Sequence, residues 1–471
     1  MDFVFFCIFA HKIQHITMYY RRIIDKYLSE WAAAEQHKPV LLRGARQIGK
    51  SWAIRHLGES FENFVEINFE KSSEYKPLFQ GNLDVKRICS MIGAMSGQPI
   101  VAGKTLLFLD EIQMCPEAIM SLRFFKEDYP ELHVAAAGSL LEFALEELPT
   151  FGVGRIHSMF MHPMTFDEFL LANRYDELIE FKQAAQTTNP LPLPLHEKLT
   201  EMFRVYLMVG GMPEVVAKWV EGHDYTACQQ LQDELLVSYE DDFPKYKKKA
   251  DPILLRHVLR SAAVQTGKKF VYTQVSPDYK SAQIRQAVDM LVLAGLLIPV
   301  THSNANGLPL GSEADTSYRK MLLFDCGLML RLLNLSTSDT SQLTTQILTA
   351  SAADLVNKGS MAEMVAGLEL LRYKSPNLRH DLFYWTRQQR NSLAEVDYLE
   401  ARNMQVLPIE VKAGTQGGMK SLWMLMREKR LTNGIRCSLE NFSFIEHKDT
   451  EADNAIRHID IYPLYAISSL F

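Results

Sequence analysis

The sequence predicts an α/β protein in which a parallel sheet is followed by two smaller units. Over residues 19–155, short apolar strands alternate with helical stretches, as in a parallel sheet covered on both faces. Over residues 253–300 a helix, a short β-rich piece, a second helix, a glycine and a strand follow one another, and the polar residues 303–317 offer a hairpin tip. That order is the order of a winged helix-turn-helix. From about Gly359 a helix leads into further strands.

Each predicted strand is a short run of apolar or alternating residues. In the first part the runs are Val40–Leu42, Phe64–Phe69, Thr105–Leu109 and His133–Ala137. In the last part they are Leu382–Trp385, Val396–Leu399 and Val406–Val411. A proline-rich stretch, Asn189–Pro194, is predicted to be a linker or loop.

Length and composition place the chain among ordinary globular proteins. Its 471 residues fit about three domains of ~150 residues. It is 47% apolar and 23% charged, which excludes collagen, coiled coils and wholesale disorder. The formal charge of −6 gives no global electrostatic reason to bind nucleic acid, although local patches remain open. No window has the ~18 consecutive apolar residues of a membrane span, and the six scattered cysteines suit a reducing cytosol, so we expect a cytoplasmic protein without a membrane partner.

The N-terminus is apolar at Phe3–Ala10 and resembles the central region of a signal peptide. However, Asp2 replaces a basic start, and no small-residue cleavage pattern follows. Three interpretations remain: a fraying tail, a hydrophobic extension packed on the body, or residues upstream of the real start. Met18 is a natural start, and we favour the last interpretation.

The strongest motif is a phosphate-binding loop of the form GxxxxGK[ST]. It comprises Gly44, Ala45, Arg46, Gln47, Ile48, Gly49, Lys50 and Ser51. The loop lies between a predicted buried strand and a helix, where backbone N–H groups and the helix dipole can face phosphates. Lys50 is expected to reach the β- and γ-phosphates, and Ser51 to offer a hydroxyl to Mg²⁺. The alternative is a glycine turn on an α/β fold.

A hydrolase of this kind also needs an acid at the tip of a neighbouring strand. The run Leu106–Glu111 (LLFLDE) supplies two acids, about 60 residues after the loop. We expect Asp110 to hold Mg²⁺ through its water shell and Glu111 to polarise the attacking water.

Two further residues are candidates for contacts with the nucleotide. Ser139 follows the next predicted strand and is expected beside the γ-phosphate, although a helix N-cap accounts for it equally well. Arg155 would contact the nucleotide or a neighbouring subunit, and a surface ion pair is the alternative that we favour.

The chain resembles the AAA-family ATP-binding proteins of bacteria and archaea that carry a domain of unknown function numbered 4143. The matching stretches are LLRGARQIGKS, KTLLFLDEIQMCPEAIMSLRFFKEDYPELHVAAAGSLLEFAL, GVGRIHSMFMHPMTFDEFL, YLMVGGMPEVV and MLLFDCGLML. They cover nearly everything after Met18. The resemblance implies an ATPase core that uses ATP rather than GTP, a winged-helix middle, and a C-terminal domain with a restriction-endonuclease-like fold. It does not supply a biological role.

Together, pattern and resemblance suggest four segments. They are an extension at residues 1–17, an AAA-type P-loop ATPase at 18–180, a helical and winged-helix unit at 181–335, and a nuclease-like unit at 336–471.

The last unit contains a constellation similar to the PD-(D/E)XK nuclease motif. Asp397 lies on one predicted strand, and Glu410 and Lys412 lie on the next, two residues apart and therefore facing the same way. Glu363, on the preceding helix, is a further supporting acid. Two acids and a lysine can hold Mg²⁺ and orient a water towards a phosphodiester. The alternative is a fold retained for binding, with acids that are only solvated or ion-paired.

DNA contacts would come from the predicted recognition helix at residues 280–293. Lys280, Gln283 and Arg285 are its candidate contacts in the major groove. A basic cluster at Lys245 and Lys247–Lys249 would meet phosphates. A protein-binding winged helix and a solvated lysine loop are the respective alternatives.

The sequence therefore supports a Mg²⁺-dependent ATPase whose nucleotide cycle controls a winged-helix and nuclease-like half that acts on DNA. The alternative is an ATP-driven regulatory or defence switch that binds a protein partner and does not cleave DNA. A metabolic nucleotide kinase is disfavoured because no lid for a small acceptor is evident. The sequence does not define the oligomeric state.

Overall fold

The computed structural model describes residues 19–139, 141–147, 154–246, 250–333, 358–389, 392–415, 417–450 and 454–471. The predicted N-terminal extension, the lysines 247–249 and the predicted boundary at 335/336 lie outside these ranges. None of the helices within the ranges is long and apolar enough to cross a membrane.

The N-terminal part alternates strands and helices, as the sequence predicts. Its strands are β1 (Val40–Arg43), β2 (Asn63–Asn68), β3 (Thr105–Asp110), β4 (His133–Ala137) and β5 (His157–Phe160). Its helices are α1 (Ile23–Ala33), α2 (Lys50–Gly58), α3 (Val85–Ser96), α4 (Pro116–Asp128) and α5 (Leu141–Glu147). The four strands predicted for this part are confirmed, whereas β5 was not predicted.

These strands form one parallel sheet in the order β2-β3-β4-β1-β5, which confirms the predicted parallel α/β fold. Every residue of β3 and β4 is buried, as expected for a sheet covered on both faces. Parallel strands end at the same edge, and ligands of such sheets bind outside the carboxyl ends of the strands. The loop after β1 and the acids at the end of β3 therefore meet at one edge.

The middle part is mainly helical. Its helices are α6 (Phe166–Ala172), α7 (Asp176–Ala184), α8 (Leu193–Val209), α9 (Pro213–Gly222), α10 (Tyr225–Asp242), α11 (Pro252–Val264), α12 (Ser281–Leu293) and α13 (Cys326–Leu332). The proline-rich stretch has no regular structure at residues 190–192, and its last two residues begin α8, where a proline in the first helical turn costs no intrahelical hydrogen bond. The predicted boundary at 180/181 falls inside α7.

Helix α12 is followed by a hairpin of β6 (Leu297–Ser303) and β7 (Ala314–Leu323). Gly295 turns the chain between them with a φ of 73°, in the left-handed region. Lys269, before α12, forms a β-bridge with Lys320 of β7. The predicted order of helix, glycine, strand and hairpin is thus observed. However, β6 also pairs in parallel with a strand of the last part, so the hairpin continues the C-terminal sheet.

The C-terminal part begins with α14 (Lys358–Arg372) and also contains α15 (Lys420–Glu428). Its strands are β8 (Leu382–Gln389), β9 (Ser392–Arg402), β10 (Gln405–Val411), β11 (Asn433–Ser438), β12 (Ser443–Lys448) and β13 (Ile456–Pro463). The eight-stranded sheet runs β12-β13-β11-β10-β9-β8-β6-β7. Strands β8, β9 and β10 form an antiparallel meander, and α15 crosses over to β11, which is parallel to β10. The three strands predicted here are confirmed.

The three parts share a continuous core. One cluster of buried apolar side chains extends from Ile24 in α1 to Ile467 near the C-terminus. Buried polar groups also cross the boundaries. For example, Arg372 of α14 donates to the carbonyls of Met164 and Phe324 and to the hydroxyl of Tyr206. These contacts therefore link all three parts.

Candidate active site

The loop between β1 and α2 is shaped by two glycines. Gly44 has a φ of 140°, and a Cβ atom there would lie 2.2 Å from the carbonyl oxygen of Met161. Gly49 has a φ of 96° and caps α2. Gln47 also adopts a positive φ, at 61°. These conformations let the chain turn tightly, so that helix α2 begins with its free N–H groups at the loop.

Lys50, the first residue of α2, lies over the loop. Its ammonium donates to the carbonyl oxygens of Gly44 and Ala45 at 3.0 and 2.6 Å. Burial lowers the pKa of Lys50 to about 8, and the carboxylates of Glu111 and Asp110 oppose this shift. The side chain is therefore a poorly solvated cation beside two acids, and an anion in the loop would favour its charged form.

Asp110 ends β3 and faces the start of α2. Its carboxylate accepts the Ser51 hydroxyl at 2.9 Å and the Asn68 side-chain amide at 3.0 Å. Burial raises the pKa of Asp110, and these two hydrogen bonds oppose the shift. The structure thus brings together both residues that the sequence predicts as Mg²⁺ ligands.

Glu111 follows with a left-handed backbone, φ 48° and ψ 44°. Its carboxylate accepts the Gln113 side-chain amide at 2.5 Å and the Ser139 hydroxyl at 3.1 Å. The Gln113 side chain packs against Gly138, where a Cβ would lie 2.0 Å from Gln113 Oε1 in this rotamer. Ser139 therefore contacts the acid that is expected to polarise water, at the edge where the sequence analysis places the γ-phosphate.

Arg22 supports the loop from the opposite side. This buried guanidinium donates to the carbonyl oxygens of Ile48 at 2.9 Å and of His162 at 2.7 Å. Its Nε lies 3.0 Å from a carboxylate oxygen of Glu168, which compensates the buried charge. The position of the loop is therefore fixed by a residue that precedes β1.

The loop also contacts the helical middle part. Arg46 pairs with Asp242 at the end of α10, with 2.5 Å between Nη1 and Oδ2. The Tyr239 hydroxyl donates to the Arg46 carbonyl oxygen at 2.7 Å. On another side, a Cβ at Gly295 would lie 3.2 Å from the Ala45 nitrogen. Two elements outside the sheet domain therefore lie against the loop.

The donors at this edge suit Mg²⁺. The ion prefers oxygen ligands and usually binds proteins through one or two carboxylates, completing its shell with water and substrate phosphates. Ser51 and Asp110 supply one hydroxyl and one carboxylate side by side. Within the described ranges, no group of three His, Cys, Asp or Glu side chains is arranged to hold a metal, so a fully protein-made cage is not present there.

Comparisons with known proteins agree with this geometry. Residues 36–170 match the family described as an AAA domain. The segment that contains the loop is thus similar to an AAA domain. This match covers the loop and both strand-end acids, and it supports ATP binding and hydrolysis. Residues 200–339 and 358–456 match two domains of unknown function, DUF8612 and DUF4143, and the latter agrees with the resemblance drawn from the sequence.

Two solved structures show a distant likeness. A Walker-type ATPase of Pyrococcus abyssi has 14% identity and a TM-score of 0.44, over 67% of this chain and 96% of that chain. The Hsp104–ADP complex of S. cerevisiae has 10% identity and a TM-score of 0.26, over 57% of this chain and 37% of that chain. No curated protein matches the sequence.

Arg155 lies away from this site in the structure. It forms an exposed ion pair with Glu127, with 3.2 Å between Nε and Oε1. The observed contact of Arg155 is thus the surface ion pair.

The structure also gathers the residues of the predicted nuclease centre. Glu363 on α14 and Asp397 on β9 lie beside a lysine that sequence reasoning missed, Lys320 of β7, which also pairs with Glu395. Lys412 is paired with Glu410 at 2.5 Å. The helix and the two strands therefore meet as expected, but with a second cation among them.

The acids of this cluster hold their protons more tightly than usual. Burial and the Asp397 carboxylate raise the pKa of Glu363 and of Glu410. Burial works against the charge of Lys320, but Glu363, Asp397 and Glu395 together raise its pKa above the ordinary value.

The predicted DNA-contact residues lie on the exposed side of α12. Lys280, Gln283 and Arg285 are all exposed, and the Arg285 guanidinium stacks 5.4 Å from the Tyr272 ring centroid. Lys245 lies elsewhere and pairs with Asp242 at 2.6 Å. The basic cluster therefore has one described member, and that member is engaged in an ion pair.

Sequence reasoning missed several residues of the site. Asn68 and Gln113 carried a usable signal, since one ends the strand next to β3 and the other follows the two acids directly. Arg22, Asp242 and Lys320 carried none, because each reaches its partner through the tertiary fold.

Proposed function

We propose that this protein is a Mg²⁺-dependent ATP hydrolase whose nucleotide cycle controls its helical middle part and C-terminal half. One observation carries the proposal. At the carboxyl edge of the sheet, Lys50 lies over the loop, and the Ser51 hydroxyl lies 2.9 Å from Asp110 Oδ1. Glu111 directly follows Asp110. The AAA domain match supports the same activity.

Each residue has a separate role in this proposal. Lys50 and the N–H groups at the start of α2 bind the phosphates. Ser51 and Asp110 hold Mg²⁺, which when bound neutralises charge on the phosphate oxygens. Glu111 orients the attacking water and accepts its proton. Gln113 and Ser139 hold the Glu111 carboxylate in place.

Control of the rest of the chain would pass through Arg46. A guanidinium binds phosphate and carboxylate with the same fork of donors, so phosphates in the loop compete with Asp242 for Arg46. Because Asp242 ends α10, loss of this pair would release the end of the helix. The contact between Ala45 and Gly295 offers a second connection, towards α12 and the hairpin.

Equilibrium binding of Mg²⁺–ATP tests the site. Lys50→Ala is expected to weaken binding by about 10²-fold, since two charge-assisted hydrogen bonds are worth about 3 kcal/mol together. Lys104→Ala is the matched control, because Lys104 is an exposed lysine paired with Glu62 at the start of β3. Equal affinities for wild type and Lys50→Ala would reject the assignment of the loop.

We also propose that α12 contacts duplex DNA. Support comes from the exposed Lys280, Gln283 and Arg285 on one helix that is followed by a hairpin, and from the C-terminal order of helix, antiparallel meander and crossover that suits a nuclease-like fold. ATP hydrolysis should then rise when duplex DNA is added, and Arg285→Ala should reduce the rise. Arg123→Ala, an exposed arginine on α4, serves as control.

The alternative function is an ATP-driven switch that binds a protein. The exposed face of α12 also carries Asp289 and the side chains of Ala282 and Leu293, which suit a protein surface better than a DNA backbone. This alternative would be favoured if added duplex DNA left the rate of ATP hydrolysis unchanged and if α12 variants hydrolysed ATP at the wild-type rate.

A further inference from the structure

Lys320 lies at the centre of the C-terminal acidic cluster. Its side chain is fully buried, and its ammonium lies 2.6 Å from Glu363 Oε1, 2.6 Å from Glu395 Oε1 and 4.0 Å from Asp397 Oδ1. The ring centroid of Tyr384 lies 4.9 Å away. A lysine ammonium has three donors, and at least two of them are used here on carboxylates from α14 and β9.

The remaining acids are occupied in a similar manner. Asp397 Oδ2 accepts the Val411 backbone N–H at 2.7 Å. Glu410 Oε1 lies 2.5 Å from the Lys412 ammonium, and its other oxygen, Oε2, is buried without a hydrogen-bond partner. Four carboxylates, of Glu363, Glu395, Asp397 and Glu410, thus meet two built-in cations.

This arrangement does not fit a divalent cation in the way that a PD-(D/E)XK centre would require. In that pattern the ion lies between Asp397 and Glu410, and both acids already have a cation beside them: Lys320 lies 4.0 Å from Asp397 Oδ1, and Lys412 lies 2.5 Å from Glu410 Oε1. A divalent ion between the two acids would therefore be repelled by two ammonium groups.

We propose that the ammonium of Lys320 takes the place of a divalent cation in this cluster. The centre is then a metal-independent set of ion pairs that ties the hairpin β6–β7 to α14 and β9. The C-terminal part then keeps the acids and lysine of a nuclease-like centre without cutting a phosphodiester.

The location of Lys320 explains why such a cluster would persist. Its strand, β7, is the last strand of the eight-stranded sheet and pairs with Lys269 just before α12. Gly267 approaches the same acids, because a Cβ there would lie 3.0 Å from Glu363 Oε2. The cluster therefore joins the segment before α12 to the C-terminal sheet, and a buried ion set of this kind fixes one register between them.

The test measures Mn²⁺ binding to variants of the full chain in the absence of nucleotide. Calorimetry detects the binding directly, and the shift in Tm on adding Mn²⁺ detects it independently. Every variant carries Asp110→Asn, so that the nucleotide site contributes no metal binding. With Lys320 present, we expect no Mn²⁺ binding that depends on Asp397, and no nicking of plasmid DNA with Mg²⁺ or Mn²⁺.

Lys320→Met should then lower Tm and create a Mn²⁺ site, so that added Mn²⁺ restores part of the lost Tm. Adding Asp397→Asn should abolish that restoration. Lys374→Met is the matched control, because Lys374 is a half-buried lysine with one carboxylate partner, Glu400 at 2.6 Å. It should lower Tm without gaining a response to Mn²⁺.

The proposal would be overturned by Mn²⁺ binding to the chain with Lys320 intact that disappears on Asp397→Asn, or by metal-dependent nicking that Asp397→Asn abolishes. Both comparisons use only proteins in which Lys320 is intact. They therefore test the proposal even if Lys320→Met fails to fold. Neither result bears on ATP hydrolysis, which Asp110 and Glu111 govern separately.

Discussion

Arg46 in the phosphate-binding loop and Asp242 at the end of α10 form an ion pair between the sheet domain and the helical middle part, with 2.5 Å between Nη1 and Oδ2. Asp242 is almost fully buried, whereas about a third of the Arg46 side chain is exposed. The arginine can therefore move more readily than its partner. Since Lys245 also lies 2.6 Å from Asp242, the carboxylate would keep one cation when Arg46 turns to a phosphate.

Asp242→Asn should tighten ATP binding. Without the carboxylate, Arg46 no longer has to leave an ion pair before it meets phosphate, and a partly exposed pair of this kind is worth up to about 1 kcal/mol, or about fivefold in affinity. Asp233→Asn is the matched control on the same helix, because Asp233 pairs with Arg331 away from the loop. Unchanged or weaker ATP affinity in Asp242→Asn would contradict the competition for Arg46.

Glu111→Gln should bind ATP and hydrolyse it poorly. The amide keeps the size of the side chain but cannot accept the proton of the attacking water, so we expect kcat to fall by about 10²- to 10⁴-fold. Single-turnover hydrolysis and equilibrium binding separate the two effects. Glu74→Gln, at an exposed position of the same domain, provides the control, and wild-type turnover in Glu111→Gln would exclude the role.

Gln113→Ala tests whether the Glu111 carboxylate needs its amide partner. Loss of one hydrogen bond of about 1 kcal/mol should lower kcat by about fivefold, while the KM for ATP stays the same, because Gln113 positions the acid and does not bind phosphate. Gln113→Glu should be worse, since two carboxylates would then lie in contact. The exposed Gln98→Ala is the control. A change in KM alone would show that Gln113 acts on binding.

ATP affinity should fall above pH 8. The pKa of Lys50 in the free protein is lowered to about 8, so the ammonium loses its proton as the pH rises through this value. Bound phosphates favour the charged form, hence binding must take up a proton, and the affinity should fall by at most about tenfold per pH unit. The terminal phosphate of ATP, with a pKa of about 6, is already ionised there. Calorimetry in buffers of different ionisation enthalpy measures the proton uptake, which Lys50→Ala should lack.

The site at the edge of the parallel sheet was largely predictable because its chemistry is local in sequence. The glycines, Lys50 and Ser51 form one continuous segment, and the acids directly end an apolar strand. Strand order then brings the two segments together without further information, since all carboxyl ends of a parallel sheet lie at one edge. Asn68 follows from the same rule once β2 is paired with β3.

The contacts that modify the site were not predictable in the same way. Arg46 and Asp242 are 196 residues apart in the sequence. An acidic residue at the end of a helix does not indicate which distant cation it will pair with. Lys320 lies just beyond the predicted hairpin tip, in the segment that the sequence analysis assigns to the winged-helix unit. Only the pairing of β6 with β8 brings that hairpin to the acids. Local pattern recognises the hairpin but not the sheet that it joins.

The most direct test of the central claim is the steady-state rate of ATP hydrolysis with Mg²⁺, measured for wild type, Lys50→Ala and Glu111→Gln, with Lys104→Ala as control. We expect hydrolysis in wild type and in the control, loss of both binding and hydrolysis in Lys50→Ala, and binding without hydrolysis in Glu111→Gln. Equal rates in wild type and both site variants, or no hydrolysis by a wild-type protein that binds ATP, would contradict the account.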